Sequence, residues 1–202
     1  NVAVDGVVLR AAARIGAPAR SGMVARYGWA RLPELRQSGL LASSLAAAGR
    51  PEMRERLREL EDERGELLAG LRAGGARGDR LTEVERALRE LREDLKEAAA
   101  RVCRAARVVG CTLSTAATDP VIYRDRYDFV LLDEASMAYI PQVFFAASLA
   151  GRKLVVSGDF RQLAPVALAG TPGVKRWLQR DIFEEAGITA AFEKGQAPDI
   201  AV

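Results

Sequence analysis

Apolar residues recur at alternating spacings of four and three through two long stretches of the chain. Met53, Leu57, Leu60, Leu67 and Leu71 form the first series, with Arg64 in its one polar slot. Leu81, Val84, Leu88, Leu91, Leu95, Ala98 and Val102 form the second. The positions between them are mostly Arg and Glu, including the favourable i,i+4 pair Glu85–Arg89 and the unfavourable Glu55–Glu59. This is the signature of paired amphipathic helices. Gly74 to Asp79 separates the series, with Asp79 a candidate cap for the second helix. The pattern predicts an antiparallel helical hairpin over 51–104, about 30 Å long at ~1.5 Å per residue, standing out as a stalk. Its charged face reads as solvated surface or as a protein-docking arm.

The periodicity changes further along. Phe129 to Leu132 is a short, unbroken apolar run that stops at Asp133 and Glu134. Leu154 to Val156 is a second such run, followed by Gly158-Asp159-Phe160-Arg161-Gln162-Leu163-Ala164-Pro165. Runs of this kind predict strands of a parallel sheet buried on both faces. Ligands of such sheets gather beyond the carboxyl ends of the strands, which is where Asp133, Glu134, Asp159 and Gln162 fall. Two adjacent carboxylates can divide the work. One can hold Mg²⁺, a hard cation suited to carboxylate and phosphate oxygens, while the other orients or deprotonates a water. Solvated turn residues, or a Glu134 that caps a helix starting near Ser136, would leave the same pattern.

Other segments are less decisive. Val7 to Ile15 predicts a helix, with Asn1 and Asp5 as candidate caps. Between Gly16 and Gly49, Arg20, Arg26, Arg31 and Arg36 are interleaved with Tyr27 and Trp29. That mixture suits a nucleic-acid track, and equally a loop-and-helix segment anchored by its aromatics. Arg107 to Leu113 predicts a return to the sheet. Its Thr112 reads as a β-branched strand residue chosen for packing. Ala138 to Leu149 and Val174 to Ala186 read as helices, and the tail ending Asp199-Ile200-Ala201-Val202 as the start of a strand. Gly170 to Lys175 imitates a phosphate-binding loop without the Gly-Lys-Ser/Thr ending it needs.

Composition adds bounds. The 202 residues suffice for one domain and an appendage. With 30 basic and 27 acidic residues the net charge is only +3, so bulk charge does not announce a nucleic-acid binder. The absence of histidine excludes a His-ligated zinc site and a His-based triad. Cys103 and Cys111 share no metal or redox spacing. Nothing resembles a signal peptide or membrane span. A cytoplasmic setting is expected, and the wealth of Ala, Arg and Gly fits a GC-rich bacterial genome.

The motifs resemble a known family. Asp133-Glu134-Ala135-Ser136 is similar to motif II of superfamily 1 helicases, and Gly158 to Pro165 to their motif III, with Ala164 where proline is usual. Asn1-Val2-Ala3-Val4-Asp5 resembles motif Ia of the branch that holds the nonsense-mediated-decay helicase and senataxin. Gly16-Ala17-Pro18-Ala19-Arg20 and Gly110-Cys111-Thr112 resemble further motifs of that branch.

The resemblance implies an α/β fold: a partial RecA-like P-loop NTPase parallel sheet made by 1–15 and 105–202, with 16–104 as a helical insertion. It implies Mg²⁺ at Asp133, a water-activating Glu134, and a Gln162 that senses the γ-phosphate of ATP beside Gly158. Asp159 would shape the turn, and Asn1, Asp5 and Thr112 would touch nucleic acid. The expected activity is ATP-driven translocation on single-stranded DNA or RNA. The chain is expected to be the central part of a larger helicase's first motor domain, inactive alone. Its P-loop is expected before Asn1, and the second RecA-like domain after Val202. The alternative is a degenerate nucleic-acid-binding or scaffolding module without ATPase activity.

Overall fold

The computed structural model describes residues 2–16, 21–72 and 78–195. Asn1, four of the five residues from Gly16 to Arg20, most of the predicted inter-helix turn and the predicted final strand lie outside them. The fold is mixed α/β and divides into two compact units, 1–110 and 111–202. Among the described residues no helix is long and apolar enough to cross a membrane.

In the first unit, α1 (Val2–Ile15) starts five residues earlier than Val7. Asp5, Val8 and Ala12 share its buried face, so a carboxylate occupies a core position of the helix. After it come β1 (Val24–Arg26), α2 (Pro33–Gln37), α3 (Ala42–Ala48), α4 (Pro51–Arg72), α5 (Gly78–Ala105) and β2 (Val108–Gly110). β1 and β2 pair in parallel, Val24 with Val108 and Arg26 with Gly110. Helix α1 packs on both strands, so closely that a Cβ on Gly110 would run into the Val8 side chain. Val8, Val24, Leu35 and Leu40 are the centre of this core. The boundary between units follows β2 because β1, from within 16–104, pairs with it.

Helices α4 and α5 pack through Leu60 and Leu67 on one and Val84 and Leu88 on the other. Arg64–Glu85, Arg80–Glu63 and Arg92–Glu61 tie their exposed sides. Such exposed pairs contribute little each, about 0–1 kcal/mol, and the apolar seam carries the association. Helix α3 lies against α5, whose Ala98, Ala99 and Cys103 are buried. Asp79 sits in the first turn of α5 rather than ahead of it.

The second unit runs α6 (Leu113–Thr118), α7 (Pro120–Tyr123), β3 (Tyr127–Leu132), a 3-10 turn (Ala135–Met137), α8 (Ile140–Ser148), β4 (Ala150–Val156), α9 (Pro172–Leu178), α10 (Ile182–Glu185) and α11 (Ile188–Glu193). β3 and β4 are parallel neighbours joined through α8, which packs on both. Their register runs from Phe129 opposite Lys153 to Leu132 opposite Val156.

Burial on both faces is corrected here. Phe129 is 61% and Leu131 57% exposed, alternating with half-buried Val130 and Leu132. One face rests on α8, and the other has no cover from the described residues of its own unit.

The single helix expected over Val174 to Ala186 is also corrected. Asp181 accepts from the N–H groups of Phe183 and Glu184, which starts a new helix and ends the old one. The sequence signal was present, as Asp181-Ile182-Phe183-Glu184 has the acid-x-x-Glu spacing of a helix start.

Candidate functional site

The parallel register continues past the strands. Ser157 N donates to Leu132 O at 2.7 Å, and Ala135 N donates to Ser157 O at 2.9 Å. Asp133 and Glu134 lie between these two bonds, so the acidic turn is laced to the tip of β4. Both residues are exposed, and neither side chain has a hydrogen bond or ion pair among the described residues.

Glu134 has φ 56° and ψ 39°, the only left-handed non-glycine conformation among the described residues. Such a backbone costs about 1–3 kcal/mol and persists where its surroundings over-determine it. Here they do: Ala135 and Ser136 on its C-terminal side are fully buried. Glu134 occupies the position ahead of the 3-10 turn, yet its side chain makes no capping bond. The reading of Glu134 as a cap is therefore replaced by a carboxylate turned to solvent.

The β4 tip is ordered by Asp159. Its Oδ1 accepts from Arg161 N at 2.9 Å, and its Oδ2 from Gln162 Nε2 at 3.4 Å. Gln162 N also donates to Asp159 O at 3.0 Å. Gln162 is among the residues lining a hollow of about 420 Å³, with Phe160, Asp181, Glu184 and Glu193. Neither Asp133 nor Glu134 lines that hollow. The backbones of the two tips are thus joined, and the Gln162 amide is held by Asp159 of its own turn.

Those helices were not singled out by sequence reasoning. Phe160 packs at 6.3 Å from Phe183 and edge-on at 5.3 Å from Phe192, ring centre to ring centre. The Arg161 guanidinium stands 4.9 Å over Phe192. Gly158 sits in a tight place: a Cβ there would lie 3.0 Å from Ala135 N, 3.0 Å from the Phe183 ring and 3.1 Å from Ser136 N.

The other expected site residues fall elsewhere. Asp5 is corrected as a nucleic-acid contact and as a cap of α1, because its carboxylate has no exposed surface. It receives Arg26 Nε at 2.8 Å, Arg31 N at 2.6 Å and Leu32 N at 3.0 Å. Burial pushes its pKa up, but the Leu32 N–H, the Arg26 guanidinium and the Arg31 N–H outweigh it, holding the group below its ordinary value. Arg26 also donates to the carbonyls of Tyr27 and Trp29, so Arg26 and buried Tyr27 are structural and leave the proposed basic track. Thr112 is not a strand residue. It caps α6, accepting from Thr115 N at 3.2 Å. Asn1 lies outside the described residues.

Among the described residues no group of three or more His, Cys, Asp or Glu side chains gathers as a metal cage. Mg²⁺ does not need one, being held by one or two carboxylates together with substrate phosphates and water. The exposed, unengaged carboxylate of Asp133 fits that demand.

A model of a family described as an AAA domain matches residues 1–169. The match takes in Asp133, Glu134, Asp159 and Gln162 and ends before α9. The domain is found in superfamily 1 helicases of the kind that includes the nonsense-mediated-decay helicase and senataxin. No curated protein matches the sequence.

Proposed function

The chain belongs to this AAA domain family, and from that premise we propose that it works in an ATP-dependent motor that moves along single-stranded nucleic acid. The observation that carries the reading is the pair of unengaged carboxylates, Asp133 and Glu134, on a turn laced to the strand tip that bears Gly158, Asp159 and Gln162. A free carboxylate pair at one parallel strand tip, laced to the next, suits phosphoryl transfer, where positioning and charge stabilisation do most of the work.

Asp133 would hold Mg²⁺, and a bound magnesium ion neutralises charge on the transferring phosphate. Glu134 orients a water toward the γ-phosphate and takes its proton. The left-handed backbone fixes where that carboxylate starts. Asp159 holds Gln162 by its amide, so a γ-phosphate sensed at Gln162 is coupled to the shape of the β4 tip. Thr112, at the start of α6, would touch nucleic acid in this reading, and so would Asn1, which lies outside the described residues. The reading also requires a phosphate-binding loop ending Gly-Lys-Ser/Thr, which the 202 residues do not contain.

The test is ATP hydrolysis by the full-length protein with and without single-stranded DNA or RNA. Stimulation by either polymer is expected. A protein that binds the polymer and shows no ATP hydrolysis under any loading contradicts the motor and favours a binding module.

A further inference from the structure

We propose that Phe183 is a positioning residue that holds the acidic turn after β3 and the Gly-Asp turn after β4 in one arrangement. The inference rests on the motor reading for its consequence in catalysis, but not for its geometry. One point in space, the place a Cβ would take on Gly158, is ringed by three groups. These are the backbone of Ala135 and Ser136, Gly158 itself, and the edge of the Phe183 ring. Phe183 is buried, and α10 lies against the 3-10 turn Ala135–Met137. The same ring meets Phe160, two residues beyond Gly158. A single side chain therefore touches or borders both turns.

Its own position is fixed from behind. Buried Asp181 accepts from Phe183 N and Glu184 N, both at 2.8 Å, which fastens the first turn of α10. The need for such a support is local. The chain from Ser157 to Gly170 forms no helix or strand, and Glu134 keeps a left-handed backbone that survives only where neighbours over-determine it. Phe183 lies beyond the family match to residues 1–169, so the support comes from chain outside the matched segment. Phe192 makes a useful contrast, because its ring contacts are with Phe160 and Arg161, both in the second turn.

The experiment is amide hydrogen exchange on the full-length protein, paired with steady-state ATP hydrolysis, for Phe183→Ala, Phe183→Leu and Phe192→Ala. Phe183→Ala is expected to raise exchange about tenfold at 135–137 and at 158–162, while the β3–β4 ladder at Val130 and Leu154 keeps its protection. It should lower kcat by about tenfold with KM for ATP within about twofold, since ground-state binding is left in place. Phe183→Leu, which keeps apolar bulk, should give about threefold in both readouts, and it carries the comparison if the alanine variant unfolds. Phe192→Ala should loosen 160–162 alone. Unchanged exchange at 135–137 in both Phe183 variants overturns the proposal. So does loosening of the ladder to the same degree as the turns. Absence of ATP hydrolysis in the wild-type protein sinks the motor reading while leaving the exchange comparison to decide the role of Phe183.

Discussion

The backbone N–H of Ala135 donates to the carbonyl oxygen of Ser157 over 2.9 Å, one step beyond the last pair of the β3–β4 ladder. This bond turns two consecutive loops into one structure. Asp133 and Glu134 are seated against the β4 tip, and the tip in turn is shaped by Asp159 and backed by Phe183.

Gly158→Ala should disturb this seat. The added methyl would be 3.0 Å from Ala135 N and from the Phe183 ring, tighter than ordinary contact. Overpacking of this kind costs about 1–3 kcal/mol. A lower denaturant midpoint with the β3–β4 ladder intact is the expected result, together with reduced ATP turnover. A variant with wild-type midpoint and turnover would show that the site has room.

Asp5→Asn removes one partner of a buried ion pair and leaves Arg26 uncompensated, an effect of about 3–5 kcal/mol at neutral pH. The folded-state pKa of Asp5 is depressed. Its contribution is therefore complete above the ordinary carboxylate range and is lost as pH falls through the lower, folded value. The stability gap between wild type and variant should narrow below about pH 4. Denaturation at pH 7 and at successively lower pH measures it, and a gap that stays constant would contradict the assignment.

Much of this was legible in the sequence because it is local. The abrupt end of Phe129–Leu132 at Asp133 and Glu134 marks a strand tip without any partner being known, and the following Gly-Asp-x-x-Gln marks its neighbour. Pairwise facts were hidden. The partner of Asp5 is Arg26, twenty-one residues away, and hydropathy patterns assign no charge to a core. β1 is only three residues long and includes that arginine, so it carries no apolar run. The exposed alternation of Phe129 and Leu131 was unreadable for the opposite reason: an apolar run reports what a face can bury, and says nothing of what covers it. Phe183 fell inside the one helix expected over Val174 to Ala186, while Phe192 lay beyond it. The helix starts at Asp181 and Gly187 set both rings against Phe160 instead.

The α4–α5 pair offers a comparison of two kinds of contact. Leu88→Ala removes a buried leucine from the seam and should destabilise by about 2–5 kcal/mol. Arg80→Ala removes exposed pairs with Glu63 and Glu83, which solvent screens, and should change stability far less than the leucine variant does. Chemical denaturation of both variants checks the order, and an arginine effect equal to the leucine effect would reverse the view that the apolar seam holds the helices.

The most direct test of the account is Glu134→Gln in the full-length protein, with ATP binding and ATP hydrolysis measured side by side. The substitution keeps the shape of the side chain and removes its ability to take a proton from water. Nucleotide affinity close to wild type with turnover lowered by about 10²-fold or more is the predicted result. Near-normal hydrolysis would remove Glu134 from the chemistry and contradict the assignment of the site.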